Sequence, residues 1–279
     1  MIFAVVNIIV FLLLIKSLFV SRTDLWAYSK FLADFITIFV GINAFMIGLW
    51  AYKSATGLIK NSILSISFGM LIMGLSMLFG EVSIPTFVNE KGTGPLNFLI
   101  SASTVQALHG TFMLIAMILW FYGTVIIIPL LGSKKPYFKF IVIFALVSLL
   151  LFLPFIGTAT FKGRDYGNQI KYWTEMMGYL IGVMMFVGII LIARYTKGGV
   201  ISKVMFIFAF SVLVMVIAYI PGPISQPTNL LGGFEHTPLW NGKQGGTFHH
   251  GLMFLSMIIF MYCMLSFQKV FRQSKAVKA

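Results

Sequence analysis

Only seven of the 279 residues are acidic, four are histidine and one is cysteine. Each scarcity removes a class of protein. The single thiol, Cys263, excludes an internal disulfide and a thiolate zinc site. Charged residues make up 10% of the chain against 59% hydrophobic, with a mean hydropathy of +0.98, which excludes an ordinary soluble domain. The net charge of +13 comes without a basic patch interleaved with aromatics, so nucleic acid is not expected as a partner. The opening apolar stretch lacks a basic n-region and a small-residue cleavage site. It reads as a retained first span rather than a signal peptide.

What is present is a series of long apolar runs. A bilayer crossing takes roughly 20 such residues. The pattern predicts eight spans, at 2–20, 31–52, 63–84, 101–131, 140–161, 173–195, 204–220 and 247–267. The expected fold is all-α: a polytopic integral membrane protein, one transmembrane domain over 1–279, multi-pass in the cell membrane. Alternate connections sort the charge. Of the 20 basic residues, 12 fall in the second, fourth and sixth loops and the tail, from Lys53 and Lys60 to Lys275 and Lys278, with no acid among them. The other 8 share their side with all 7 acids: Asp24, Asp34, Glu81, Glu90, Asp165, Glu175 and Glu235. The positive-inside rule then predicts cytoplasmic termini. It also puts His109, His236, His249 and His250, the only histidines, on the outer side.

Imidazole is the usual protein ligand for haem iron and copper, and is costly to place in a membrane for other reasons. His109 begins a stretch long enough to cross the bilayer on its own, so it belongs at the outer end of the fourth span. His249 and His250 open the eighth span. Both spans run from outside to inside, so the two positions share one depth. Adjacent helical residues point about 100° apart, so only one of His249 and His250 can turn toward His109. Gly110 and Gly251 each follow a histidine and remove a side chain where a flat macrocycle approaches. The repeated His-Gly favours His250 as partner, with His249 the substitute. A haem b held by His109 and His250 is one expectation.

A copper or non-haem iron site drawn from His236, His249, Asp34, Glu81 and Glu175 is the other, since imidazole with carboxylate suits such metals. The same carboxylates could instead relay protons, or pair with Arg22, Lys30, Lys91 or Arg164. A single interface histidine more often hydrogen-bonds a carbonyl or carboxylate, and His236 reads as a solvated loop residue. Methionines at helical spacing (Met113 and Met117; Met253, Met257, Met261 and Met264) invite a copper-channel reading, but in apolar helices methionine usually fills space. Gly178, Gly182 and Gly188 suit close helix packing. The outer connection 221–246, rich in proline, glycine and asparagine, is either an ordered cap or a mobile loop.

The stretch Ala107-Leu-His-Gly-Thr-Phe-Met-Leu-Ile, ending in Ile128-Pro-Leu-Leu-Gly132, resembles the second helix of subunit I in the haem-copper oxidase and nitric-oxide reductase superfamily. The similarity runs from about Ile63 to Lys197. It includes Phe152-Leu-Pro-Phe, the polar loop 162–171 and the helix 173–194, which look like the following helices of the B-type oxidases. The resemblance implies that His109 ligates a low-spin haem near the outer face. It breaks on counting: the family draws two imidazoles for that haem, one for a high-spin haem and three for copper, and this chain has four histidines in all. The His-Pro-Glu-Val-Tyr copper motif is also missing. Oxygen reduction by this chain alone is therefore not expected.

The expectation is a haem b-binding electron-transfer subunit of a respiratory membrane complex. It would work with other redox subunits and a membrane quinol. The alternatives are a copper-containing membrane enzyme or copper-handling protein, and a cofactor-free scaffold subunit.

Overall fold

The computed structural model describes residues 2–18, 25–79, 102–127, 166–196, 199–219 and 242–276. Among these residues the regular structure is helical throughout. The helices are α1 (Ile2–Leu18), α2 (Leu25–Ser54), α3 (Gly57–Ser76, continued by a 3₁₀ turn at Met77–Phe79), α4 (Ala102–Val125), α5 (Tyr166–Tyr195), α6 (Val200–Ala218) and α7 (Gly242–Ala276). Six of them, α2 to α7, are long and apolar enough to cross a membrane, and α1 is a shorter apolar helix. The chain thus has the fold of a multi-pass α-helical membrane protein. The expected span 140–161 lies outside the described residues.

The helices extend past the apolar runs. α2 starts at Leu25 and α7 at Gly242, each before its apolar run begins, because hydropathy marks the bilayer core and not the backbone hydrogen bonding that carries a helix into the interface. The first residues of α7 therefore belong to a helix, whereas 220–241 lie outside the described residues. At its other end α4 stops at Val125, with closing bonds from Ile126 N to Tyr122 O (3.0 Å) and Ile127 N to Thr124 O (3.3 Å). Pro129 follows in the sequence, and a proline disfavours helix in the residue before it.

Six helices close into a ring. α2 packs on α3, α3 on α4, α4 on α5, α5 on α6, α6 on α7, and α7 returns to α2. In that order α4 and α7 stand opposite each other. α1 lies outside, against α2. It is held there by a reciprocal amide pair, Asn7 Nδ2 to Asn43 Oδ1 (2.9 Å) and Asn43 Nδ2 to Asn7 Oδ1 (3.0 Å).

Lipid offers helices no hydrophobic drive to associate, so small residues and polar bonds join them. The ring uses both. Ser62 and Ser65 of α3 donate to Gly123 O and Leu119 O of α4 (2.6 Å each), and Trp120 Nε1 donates to Ile66 O (3.1 Å). Ser211 of α6 and Ser256 of α7 each donate to the other's carbonyl (2.8 and 2.9 Å). α2 and α3 meet backbone to backbone at Gly41 and Gly74, where a Cβ on Gly41 would stand 2.7 Å from Met70 O. Gly57 turns the chain between the two helices at φ +58. Gly182 does the packing work expected of it: a Cβ there would stand 2.8 Å from Val216 of α6.

The ring's interior is apolar and rich in thioether. Met70, Met73, Met113, Met117, Met185, Met215, Met253 and Met257 are all fully buried. Trp120 of α4 stacks on Phe260 of α7 across the ring, with ring centres 4.4 Å apart at 24°. Phe208 of α6 meets Phe260 edge-on at 4.8 Å.

A buried histidine layer at one end of the ring

Among the described residues, two aromatic pairs cross the ring between α4 and α7. One is Trp120 with Phe260. The other is His109 with His250, ring centres 6.4 Å apart and planes 18° from parallel. The paired positions lie at nearly equal separations along the two helices, so α4 and α7 run parallel and in register. That is the common depth which their shared direction predicts.

The same end of the ring gathers the polar residues that the apolar helices carry. Asp34 and Glu175 lie early in α2 and α5, Ser76 and Ala218 at the last residues of α3 and α6, and Tyr219 just beyond. Asp34, His109 and Glu175 are each 1% exposed, and His249 and His250 are 4% exposed. The opposite end is basic: Lys53 and Arg194 close α2 and α5, Lys60 and Lys203 lie in the first turns of α3 and α6, and Lys269 lies near the end of α7. This is the charge sorting seen in the sequence.

Each histidine of the layer is held by its Nδ1. His109 Nδ1 donates to Ser76 O (2.8 Å) and His249 Nδ1 to Ala218 O (2.6 Å). Those carbonyls belong to last turns, where a helix has no backbone donors left to satisfy them. The histidines therefore cap α3 and α6, and the negative ends of the helix dipoles make the imidazoles better electron donors. His250 Nδ1 bonds the Asp34 carboxylate, joining α7 to α2. A carbonyl oxygen can only accept, so His109 and His249 each carry a proton on Nδ1, which leaves the lone pair on Nε2 in the neutral imidazole. The carboxylate acceptor fixes His250 in the same tautomer when its imidazole is neutral. This is the arrangement found around metal-binding histidines, whose second nitrogen donates to a carbonyl or carboxylate.

Capping alone accounts for His109 and His249. It does not account for the alignment of His109 with His250. An imidazole nitrogen lies about 2.0 Å from a first-row metal, with the ring centre roughly 1.1 Å behind it, so two axial imidazoles on one ion have centres about 6.2 Å apart. The observed 6.4 Å fits that spacing. By spacing alone, His109 and His250 suit a haem iron or a copper ion as a shared ligand pair.

His249 is turned elsewhere. Its ring lies 5.0 Å from that of His250 at 87°, and 5.8 Å from Tyr219 at 60°. The near-right angle is the divergence that adjacent helical positions impose. Gly110 is buried beside His109. A Cβ on Gly251 would meet nothing within 4 Å, so no protein neighbour demands glycine there. Asp34 is brought to His250. Glu175 lies within electrostatic reach of Tyr219. His236 and Glu81 lie outside the described residues, and among the described residues no three His, Cys, Asp or Glu side chains converge to hold a metal ion.

Ser76, Ala218 and Tyr219 were not singled out by the sequence. The first two act through backbone carbonyls, which carry no residue signature. Tyr219 had one available signal, a phenol at the outer end of an apolar span.

The fold and the layer define a class: a multi-pass helical membrane protein with a buried, oriented histidine pair at one end. Comparison with protein-family models, curated proteins and solved structures finds no match.

Proposed function

We propose that this chain is a haem b-binding electron-transfer subunit of a respiratory membrane complex, with His109 and His250 as axial ligands. The observation that carries the reading is their alignment across the ring, both Nδ1 atoms engaged and the ring centres 6.4 Å apart. A haem b in this position supplies one-electron transfer. The chain's own residues do the rest. Ser76 O and Asp34 fix the tautomers and ring directions. The Asp34 carboxylate adds negative charge behind one ligand, and the apolar interior excludes water. His249, capping α6, is not an axial ligand in this reading.

The histidine layer is the outer face, the termini are cytoplasmic, and electrons pass between a membrane quinol and a redox partner on the outer side. The chain is then a reduced relative of subunit I in the haem-copper and nitric-oxide reductase superfamily, retaining the low-spin haem pair. Copper is the second reading. The same spacing suits copper(I), and Met113 and Met253 lie one turn further along α4 and α7, both fully buried.

The optical spectrum of the purified chain, with metal analysis, tests both. A Soret band with a sharp reduced α-band is the expected result. Stoichiometric copper without a Soret band selects the second reading, and neither signal leaves a cofactor-free scaffold.

A further inference from the structure

The haem reading uses His109, His250 and Asp34. It leaves a second polar group in the same layer, contributed by three consecutive helices of the ring: Glu175 on α5, Tyr219 at the end of α6 and His249 on α7. Tyr219 is fully buried, yet its hydroxyl has no hydrogen-bond partner among the described residues. Buried hydroxyls are rarely left so, and each instance asks for a ligand, a water or a function. The hydroxyl is not adrift. It rests against Gly178, where a Cβ would stand 3.0 Å from the oxygen, three residues along α5 from Glu175. Glu175 is itself buried and within electrostatic reach of Tyr219. The His249 ring lies 5.8 Å from the Tyr219 ring, and with Nδ1 donating to Ala218 O its neutral form presents Nε2 as an acceptor.

The three side chains form a complementary set: a phenol that donates, an imidazole that accepts and a carboxylate that accepts. A hydroxyl group on the ligand answers all of them, taking a hydrogen bond from Tyr219 and giving one to His249 or Glu175. The rest of the ligand must be apolar, because Met117 lies against Gly178 beside the Tyr219 hydroxyl, and Met176 and Met215 belong to the same buried core. We infer that Glu175, Tyr219 and His249 hold the hydroxylated ring of a membrane-soluble quinol. Choosing a redox-active ring over another hydroxylated lipid rests on the electron-transfer reading, since the His249 ring lies 5.0 Å from that of His250. The recognition itself does not require haem.

The test uses the full chain in lipid nanodiscs with decylubiquinol as the probe, binding being followed by tryptophan fluorescence. Saturable binding is expected. Tyr219→Phe keeps the ring and removes one hydrogen bond, and should weaken binding about tenfold. Gly178→Ala crowds the hydroxyl and should weaken it too. Neither substitution should change the visible spectrum, and Tyr219→Phe should not lower the melting temperature of the ligand-free protein, because it deletes an unsatisfied group. Absence of saturable binding, or equal affinity in Tyr219→Phe, would overturn the assignment and leave the hydroxyl with a water only. A chain that binds the quinol but shows no Soret band defeats the haem reading and leaves this site standing. A Soret band without quinol binding does the reverse.

Discussion

Asp34→Asn separates a ligand-positioning carboxylate from a merely structural one. Asp34 is almost wholly buried and its carboxylate accepts from His250 Nδ1. Asparagine has nearly the same shape and keeps a carbonyl oxygen to accept that bond, so the substitution removes little but the charge. If the pair only joins α7 to α2, deleting a buried charge that keeps its hydrogen bond should leave stability nearly unchanged, because the saved desolvation offsets the lost attraction. If His250 is an axial ligand, two further quantities must move. Loss of an outer partner typically weakens metal affinity by about 10- to 100-fold, or about 1.4 to 2.7 kcal/mol. The carboxylate's negative charge favours the oxidised iron, which bears one more positive charge. If the whole loss falls on that state, the midpoint potential rises by about 60 to 120 mV. Haem titration of the full chain and potentiometry of its α-band measure both effects, with the melting temperature as control. An Asp34→Asn chain that binds haem within about twofold of the parent and shifts by less than about 20 mV would refute the role of His250.

His109→Ala and His250→Ala should each abolish the low-spin spectrum, whereas His249→Ala should retain it, since its ring is turned toward Tyr219; equal losses from His249 and His250 would contradict this division. A tag at Ala279 should be reached from the cytoplasmic side only, and labelling of intact and opened cells decides it. The purified chain with an electron donor should show no cyanide-sensitive oxygen uptake, because its four histidines cannot furnish a haem-copper centre beside the low-spin pair; robust uptake would demand a different catalytic site.

Six of the eight expected spans and the shared level of the histidines were legible in the sequence because both follow from periodic, one-dimensional quantities: the length of an apolar run and the direction in which it crosses. Contact choice was not. Asp34 bonds a histidine 216 residues away. Nothing in the local sequence around either residue encodes that. The separation of His249 from His250 was half visible. Helix geometry required it, and the facing elements decided its sense. α7 does carry the information in a form easily passed over. His249, Ser256 and Cys263 recur every seventh residue and all turn to α6, meeting Ala218 O, Ser211 and Val204 O. His250, Met253, Met257 and Phe260 line the face toward the ring's interior. A polar heptad on one stripe and a methionine–aromatic stripe beside it distinguish the two histidines before any coordinates exist.

The stack of Trp120 on Phe260 has an electrical meaning. It closes the ring about ten residues, roughly 15 Å, inward of the histidine pair. Aromatic faces and thioethers offer a proton no relay, and an isolated charge in such surroundings faces a steep solvation barrier. Among the described residues this stack therefore stands between the layer and the basic end of the ring. An electron delivered there can be matched by protons released to that same side, but this wall of the ring gives them no passage to the other. In this chain redox chemistry would build a gradient only by where its protons are left, and not by carrying them across.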